Sequence, residues 1–183
     1  MRKLQFEEIK SARPTPEQIE REGRFPIFVI AENIRSLFNV GSIFRTSDAA
    51  RIEKLILTGF TGRPPRNEIS KTALGADQSV PWAYAPSAAN VVTDLKKQGV
   101  KIVTLEHTDM SHDFKKVRFE FPLALVLGNE VNGVSEEVIS LTDLAIKIPM
   151  FGVKQSLNVS VAYGIAVYEI LYQFLNQGTG HEM

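Results

Sequence analysis

Three short runs of this 183-residue chain hold side chains able to bind and orient a small ligand. Gly128-Asn129-Glu130 follows the apolar run LALVL, and Gly133 comes shortly after. A glycine there lets a ligand approach the backbone, and the acid can accept hydrogen bonds; the same residues would also serve an ordinary strand-to-loop turn. Ser156 and Asn158 stand where a long apolar helix should begin, after Ile148-Pro149 and Gly152. Serine and asparagine cap the free N–H groups of a helix start, or face a ligand from it. Asn39 and Arg45 lie six apart at the start of another helical stretch, a spacing that does not share one helix face. Asn39 therefore belongs to the N-terminal turn, as a cap or a site residue. Arg45 serves either a surface ion pair or a bound group.

Several chemistries are excluded. The absence of cysteine removes disulfides, thiolate metal sites and a cysteine nucleophile. No serine sits in a G-x-S-x-G elbow, so a serine hydrolase is not expected. Gly128 and Gly133 have phosphate-loop spacing, but Val134-Ser135 replaces the Lys-Ser/Thr such a loop needs, and no G-x-G-x-x-G occurs. His107, Asp109, His112 and Asp113 cluster without metalloenzyme spacing, so that stretch reads as a polar loop and no metal is expected.

The elements that must position these residues alternate. Apolar runs at 25–31, 54–58, 100–105, 123–127 and 144–148 read as parallel strands covered on both faces, with 80–85 a weaker edge candidate containing Pro81. Helices are expected at 37–50, at 88–98, from Ser135, after the Thr15-Pro16 start signal, and from the 156–158 region onward. This alternation predicts an α/β domain over 25–177, preceded by an extension at 1–24 and followed by a tail at 178–183. The last helix is apolar nearly all round. Val159, Ala162, Tyr163, Ala166 and Ile170 form one stripe; Val161, Ile165, Tyr168 and Tyr172 form another. One can cover the sheet, and a second subunit is the simplest cover for the other.

Lys plus Arg equals Asp plus Glu at 21 each. The distribution is uneven, with 13 basic and 9 acidic side chains in residues 1–71. Arg35, Arg45, Arg63, Arg66 and Lys71 form a basic stretch able to contact RNA phosphates, or a solvated face. No apolar run approaches the ~18 residues of a membrane span, and nothing suggests export, so a cytoplasmic location is the default expectation.

Asn39-Val40-Gly41 with Arg45-Thr46, Leu127-Gly128-Asn129-Glu130 with Gly133, and Ser156-Leu157-Asn158 after Ile148-Pro149 resemble the three motifs of the SpoU/TrmH family of RNA ribose 2′-O-methyltransferases. Order and approximate spacing match over most of residues 33–170. The resemblance implies a mostly parallel sheet with helices on both faces and a C-terminal deep trefoil knot. It implies S-adenosylmethionine held largely by backbone groups around Leu127, Gly128, Ile148, Met150 and Leu157. It implies a catalytic set of Asn39, Arg45, Glu130, Ser156 and Asn158, and a homodimer acting on RNA, tRNA ahead of ribosomal RNA. Arginine is a poor base, because a guanidinium holds its proton tightly, so Arg45 is expected to clamp phosphate and ribose instead. A non-catalytic RNA-binding protein on the same fold is the alternative. Ser47 and Arg51 depart from the common Ala and Gly, and Arg51 is expected to add charge near the site. No separate RNA-binding domain is visible, so substrate choice is expected to rest on the extension, the 61–71 loop and the dimer.

Overall fold

The computed structural model describes residues 1–177; the expected tail lies outside the described residues. Strands β1 (Phe25–Glu32), β2 (Ile52–Thr58), β3 (Trp82–Ala85), β4 (Lys101–Leu105), β5 (His112–Asp113), β6 (Leu123–Leu127) and β7 (Leu144–Lys147) form one sheet. Its order is β3-β2-β1-β6-β4-β7-β5, and every pairing is parallel. The apolar runs β1, β2, β4 and β6 occupy the middle, where both faces are covered. The run containing Pro81 forms the edge strand β3, as its proline requires.

Helices α3 (Leu37–Ala49), α4 (Asn67–Ala73), α5 (Ala76–Ser79) and α8 (Val159–Gln177) cover one face. That face buries Val29, Leu55, Leu57, Leu125 and Ile146 against Val40, Phe44, Ile69, Tyr163 and Ile170. Helices α6 (Ala88–Lys97) and α7 (Glu136–Ile139) cover the other, over Ile30, Ile56, Ile102, Ala124 and Val126. Alternate residues of one strand, such as Val29 and Ile30, thus serve opposite faces. Two short helices, α1 (Phe6–Ser11) and α2 (Pro16–Glu22), precede the sheet.

Four elements differ from the sequence expectation. Helix α1 buries no residue and is held by its capping box, so apolar periodicity could not find it. Helices α4 and α5 divide the expected 61–71 loop and its continuation. They are separated by Leu74 and Gly75 at φ 51° and 92°, where only a glycine is at ease. The two-residue β5 lies inside the polar stretch; its pairing with β7 creates it, not its own sequence.

Both motif departures have a structural account. Ser47 and Tyr163 are fully buried between α3 and α8, their hydroxyls 2.8 Å apart, so each supplies the other's hydrogen bond. Burial drives the Tyr163 pKa upward, offset in part by Ser47. Arg51 does not add charge near the site. It ends α3 at φ 49°, at the amino edge of the sheet, and its guanidinium bonds Glu22 at 3.0 Å and the Gly23 carbonyl at 2.8 Å. It ties the extension to the edge opposite the site. Among the described residues no helix is long and apolar enough to cross a membrane.

Candidate active site

The site begins with a row of three residues. Ala31, Leu127 and Leu105 are neighbours across β1, β6 and β4, so Glu32, Gly128 and Glu106 emerge side by side at the carboxyl ends. Ligands of open α/β sheets bind at this edge. The two glutamates grip consecutive N–H groups as the loop after β6 folds back. Glu106 accepts from Val134 at 3.0 Å; Glu32, nearly buried, accepts from the Ser135 backbone at 3.0 Å and its hydroxyl at 2.7 Å. Ser135 in turn caps α7. This return presses Gly133 and Val134 onto Gly128, where a Cβ would meet their backbone atoms. Asn129 closes the loop by exchanging two 2.9 Å backbone bonds with Gly133 and by accepting from the Val131 and Asn132 N–H groups.

The second and third segments attach to this loop through one hydrogen-bonded chain. The Glu130 carboxylate accepts from the Arg35 N–H at 2.8 Å, the Ser36 N–H at 3.0 Å and the Asn39 side-chain amide at 2.8 Å. Asn39 then accepts from the Asn158 amide at 3.0 Å. Asn158 also accepts from the Ser160 N–H at 2.9 Å, so it caps α8 as well as reaching Asn39. The cap of α3 is Ser36, not Asn39. Burial raises the Glu130 pKa, but the three donors outweigh it and hold the carboxyl below its ordinary value.

A depressed pKa fixes the sign of the pH dependence. Glu130 contributes stability above the ordinary carboxylate pKa and loses it as pH falls through the lowered one. Glu130→Gln should cost about 1 kcal/mol near neutrality, because an amide offers one acceptor to three donors. Melts from pH 6 to pH 3 should fall less steeply for the variant than for the unsubstituted protein. Parallel curves would show that Glu130 does not carry this tether.

Around the loop lies a cleft of about 450 Å³, inside the ~300–1,000 Å³ of ordinary small-molecule sites. All five residues expected to hold the cofactor, Leu127, Gly128, Ile148, Met150 and Leu157, line it. So do Glu130, Ser156 and Asn158; Asn39 stands just behind them, 9% exposed. Leu105, Glu106 and His107 also line it and were not assigned to it from sequence. An acid ending an apolar strand, as in KIVTLE and FPIFVIAE, was the available signal. Apart from His107, the ionisable side chains of the lining are Glu106, Glu130 and Lys147. That balance is unfavourable to a polyphosphate. Among the described residues no cluster of metal-ligating side chains occurs.

Arg45 does not line the cleft. It is exposed on α3, and its side chain makes no hydrogen bond or ion pair among the described residues. Arg35, Arg63, Arg66 and Lys71 are also exposed beyond the cleft, and none has a carboxylate within 4.0 Å among the described residues.

The SpoU rRNA Methylase family model matches residues 26–168. A tRNA (guanosine(18)-2′-O)-methyltransferase of Thermus thermophilus is 33% identical over 172 residues, covering 94% of this chain and 88% of that protein. The A. aeolicus TrmH/SpoU tRNA modifying enzyme superposes with a TM-score of 0.77 at 33% identity, covering 85% of this chain and 79% of that one. An AdoMet-bound rRNA methyltransferase from Sinorhizobium meliloti gives 0.76 at 28% identity, over 84% and 58%. The chain spans 60% of the length of some curated relatives it matches, including a TrmH family protein of Bacillus subtilis. These matches cover the sheet, the hydrogen-bonded loops and the cleft together, and the chain belongs to the SpoU rRNA Methylase family.

Proposed function

We propose that this protein transfers a methyl group from S-adenosylmethionine to a ribose 2′-hydroxyl of RNA, as a homodimer, with residues 25–177 as its catalytic domain. The observation that carries the reading is the chain Glu130–Asn39–Asn158. It joins three segments far apart in sequence at the rim of one cleft. The activities of the relatives and the AdoMet-bound neighbour support the donor and the acceptor class.

Bound S-adenosylmethionine supplies an electrophilic methyl group on a cationic sulfur. Backbone groups around Leu127, Gly128, Ile148, Met150 and Leu157 hold it, and the apolar walls exclude water. Glu130 stays ionised and keeps the loops in register. Ser156 and Asn158 close the site from the third segment. Arg45 lies outside the cleft and acts on the acceptor: its fork holds phosphate and ribose so that the hydroxyl is aligned for in-line attack. A guanidinium holds its proton too tightly to act as the base, so the hydroxyl proton passes to another group or to phosphate. A tRNA substrate is favoured by the Thermus relative, of which this chain covers 88%.

Helix α8 supports the dimer. Tyr163, Ala166 and Ile170 face the core, whereas Val161, Ile165, Tyr168 and Tyr172 are 39–62% exposed as a second apolar stripe. Phe151 and Val153, almost fully exposed, add further apolar surface on the preceding loop. Ile165→Asp should convert dimer to monomer in light scattering at micromolar concentration, because the new charge would be buried without a partner. A monomeric unsubstituted protein would remove the proposal. The knot belongs to the same reading. Its support is the likeness to a solved TrmH/SpoU structure over 85% of this chain.

Mass-spectrometric mapping of 2′-O-methylated nucleotides tests the function. RNA from cells lacking the protein should lose one such nucleotide, and re-expression should restore it. An unchanged map of tRNA and ribosomal RNA would contradict the proposal.

A further inference from the structure

The turn after β2 is built in an unusual way. Gly59 has φ 62°, and a Cβ there would meet the Asn33 side chain, so only glycine fits. Phe60 donates its N–H to Asn33 Oδ1 at 3.2 Å. Thr61 is buried, accepting from the Ile34 N–H and donating to the Ala31 carbonyl, both at 2.9 Å. The residues flanking Phe60 are thus locked, while its ring is left 64% exposed. Beside it, Tyr84 donates its hydroxyl to the Gly59 carbonyl at 3.0 Å, and the Arg63 guanidinium lies 4.2 Å from the Tyr84 ring centroid.

We infer that this turn is a stacking platform for an unpaired base of the RNA, with Phe60 supplying the ring and Arg63 on Tyr84 the adjoining cationic plane. The inference rests on the proposed RNA methyltransferase function and specifies how the substrate is held next to the reacting ribose. Charge decides between occupants. Arg35, Arg63 and Arg66 have no carboxylate partner within 4.0 Å among the described residues, whereas Arg51, Lys96 and Lys101 elsewhere are paired. Exposed aromatic rings among unpaired cations match the stacking and phosphate contacts by which unpaired nucleotides are bound. The position fits too. Asn33 holds the turn through Phe60 and also accepts from the Asn129 side chain at 2.7 Å, so platform and cleft floor share one anchor. In the sheet only β1 separates β2 from β6, placing the two loops roughly 10 Å apart at two strand spacings.

The test uses the full chain, bulk tRNA, and an RNA hairpin with 2-aminopurine in its loop, whose fluorescence is quenched by stacking. Phe60→Ala should weaken tRNA binding at least ~10-fold and abolish the quenching, with S-adenosylmethionine affinity and the melting temperature unchanged. Phe60→Trp should retain both signals. Removing the ring should leave the salt dependence of binding alone, whereas Arg63→Gln should lower its slope by about one unit. Phe60→Ala binding tRNA within twofold of the unsubstituted protein overturns the platform, as does a change confined to self-association. If the unsubstituted protein binds no RNA, the methyltransferase reading fails with it. If it binds RNA and only the Phe60 effects are missing, the platform alone fails.

Discussion

Gly128→Val should abolish S-adenosylmethionine binding in calorimetry, a loss of at least ~100-fold. The reason is backbone against backbone. A Cβ at Gly128 would collide with the Gly133 carbonyl group and the Val134 nitrogen, and no side-chain rotation can relieve a contact between main-chain atoms. The loop must shift, straining the two 2.9 Å bonds between Asn129 and Gly133 and the grip of Glu106 and Glu32 on Val134 and Ser135. Overpacking costs about 1–3 kcal/mol and each hydrogen bond lost about 0.5–1.5 kcal/mol. At 1.4 kcal/mol per tenfold, that range covers the expected loss of affinity. The sheet beneath does not depend on this loop, so the variant should keep its circular dichroism. A folded variant with unchanged affinity would show that Gly128 does not form the cofactor's floor.

Arg45→Ala should lower turnover by at least ~10²-fold while leaving cofactor affinity within about twofold. Its position requires that split: Arg45 lies outside the cleft, so its loss cannot open the cofactor's walls, and among the described residues it has no ion pair whose loss would unsettle α3. Misaligning an attacking hydroxyl commonly costs that much in rate. Arg45→Lys should rescue poorly, since an ammonium cannot reproduce the planar two-pronged contact. Single-turnover rates with labelled cofactor, beside calorimetry, separate the two effects. Near-normal turnover in the alanine variant would take Arg45 out of the site.

Much of this was legible in sequence, for reasons that differ by element. Strands β1 and β6 are continuous apolar runs, and α2 and α7 announce themselves by caps at Thr15 and Ser135. Ser156 and Asn158 were readable as the approach to α8, but the helix begins at Val159, because Asn158 itself supplies the cap. What sequence could not show is what depends on tertiary placement. Strand β5 exists only through β7, and α1 buries nothing that could impose a period. Glu32 and Glu106 passed as strand ends because their role appears only when β1, β6 and β4 stand in register around Gly128. Asn39 read equally well as a cap; its bonds to Glu130 and Asn158 span 91 and 119 residues. The six-residue separation of Arg45 from Asn39 put the two on different helix faces, but which face points to solvent depends on packing and could not be read from it.

Transfer of a methyl group to a ribose hydroxyl is tested most directly by comparing two substrates that differ in one oxygen. Once the modified nucleotide is mapped, the target RNA is prepared with its ribose and with a single deoxynucleotide at that position, and incubated with methyl-labelled S-adenosylmethionine. Both should bind, since most affinity comes from phosphates elsewhere. Only the ribose substrate should gain label, recovered as one 2′-O-methylated nucleotide. Label on the deoxy substrate, or label recovered on a base, would contradict the account.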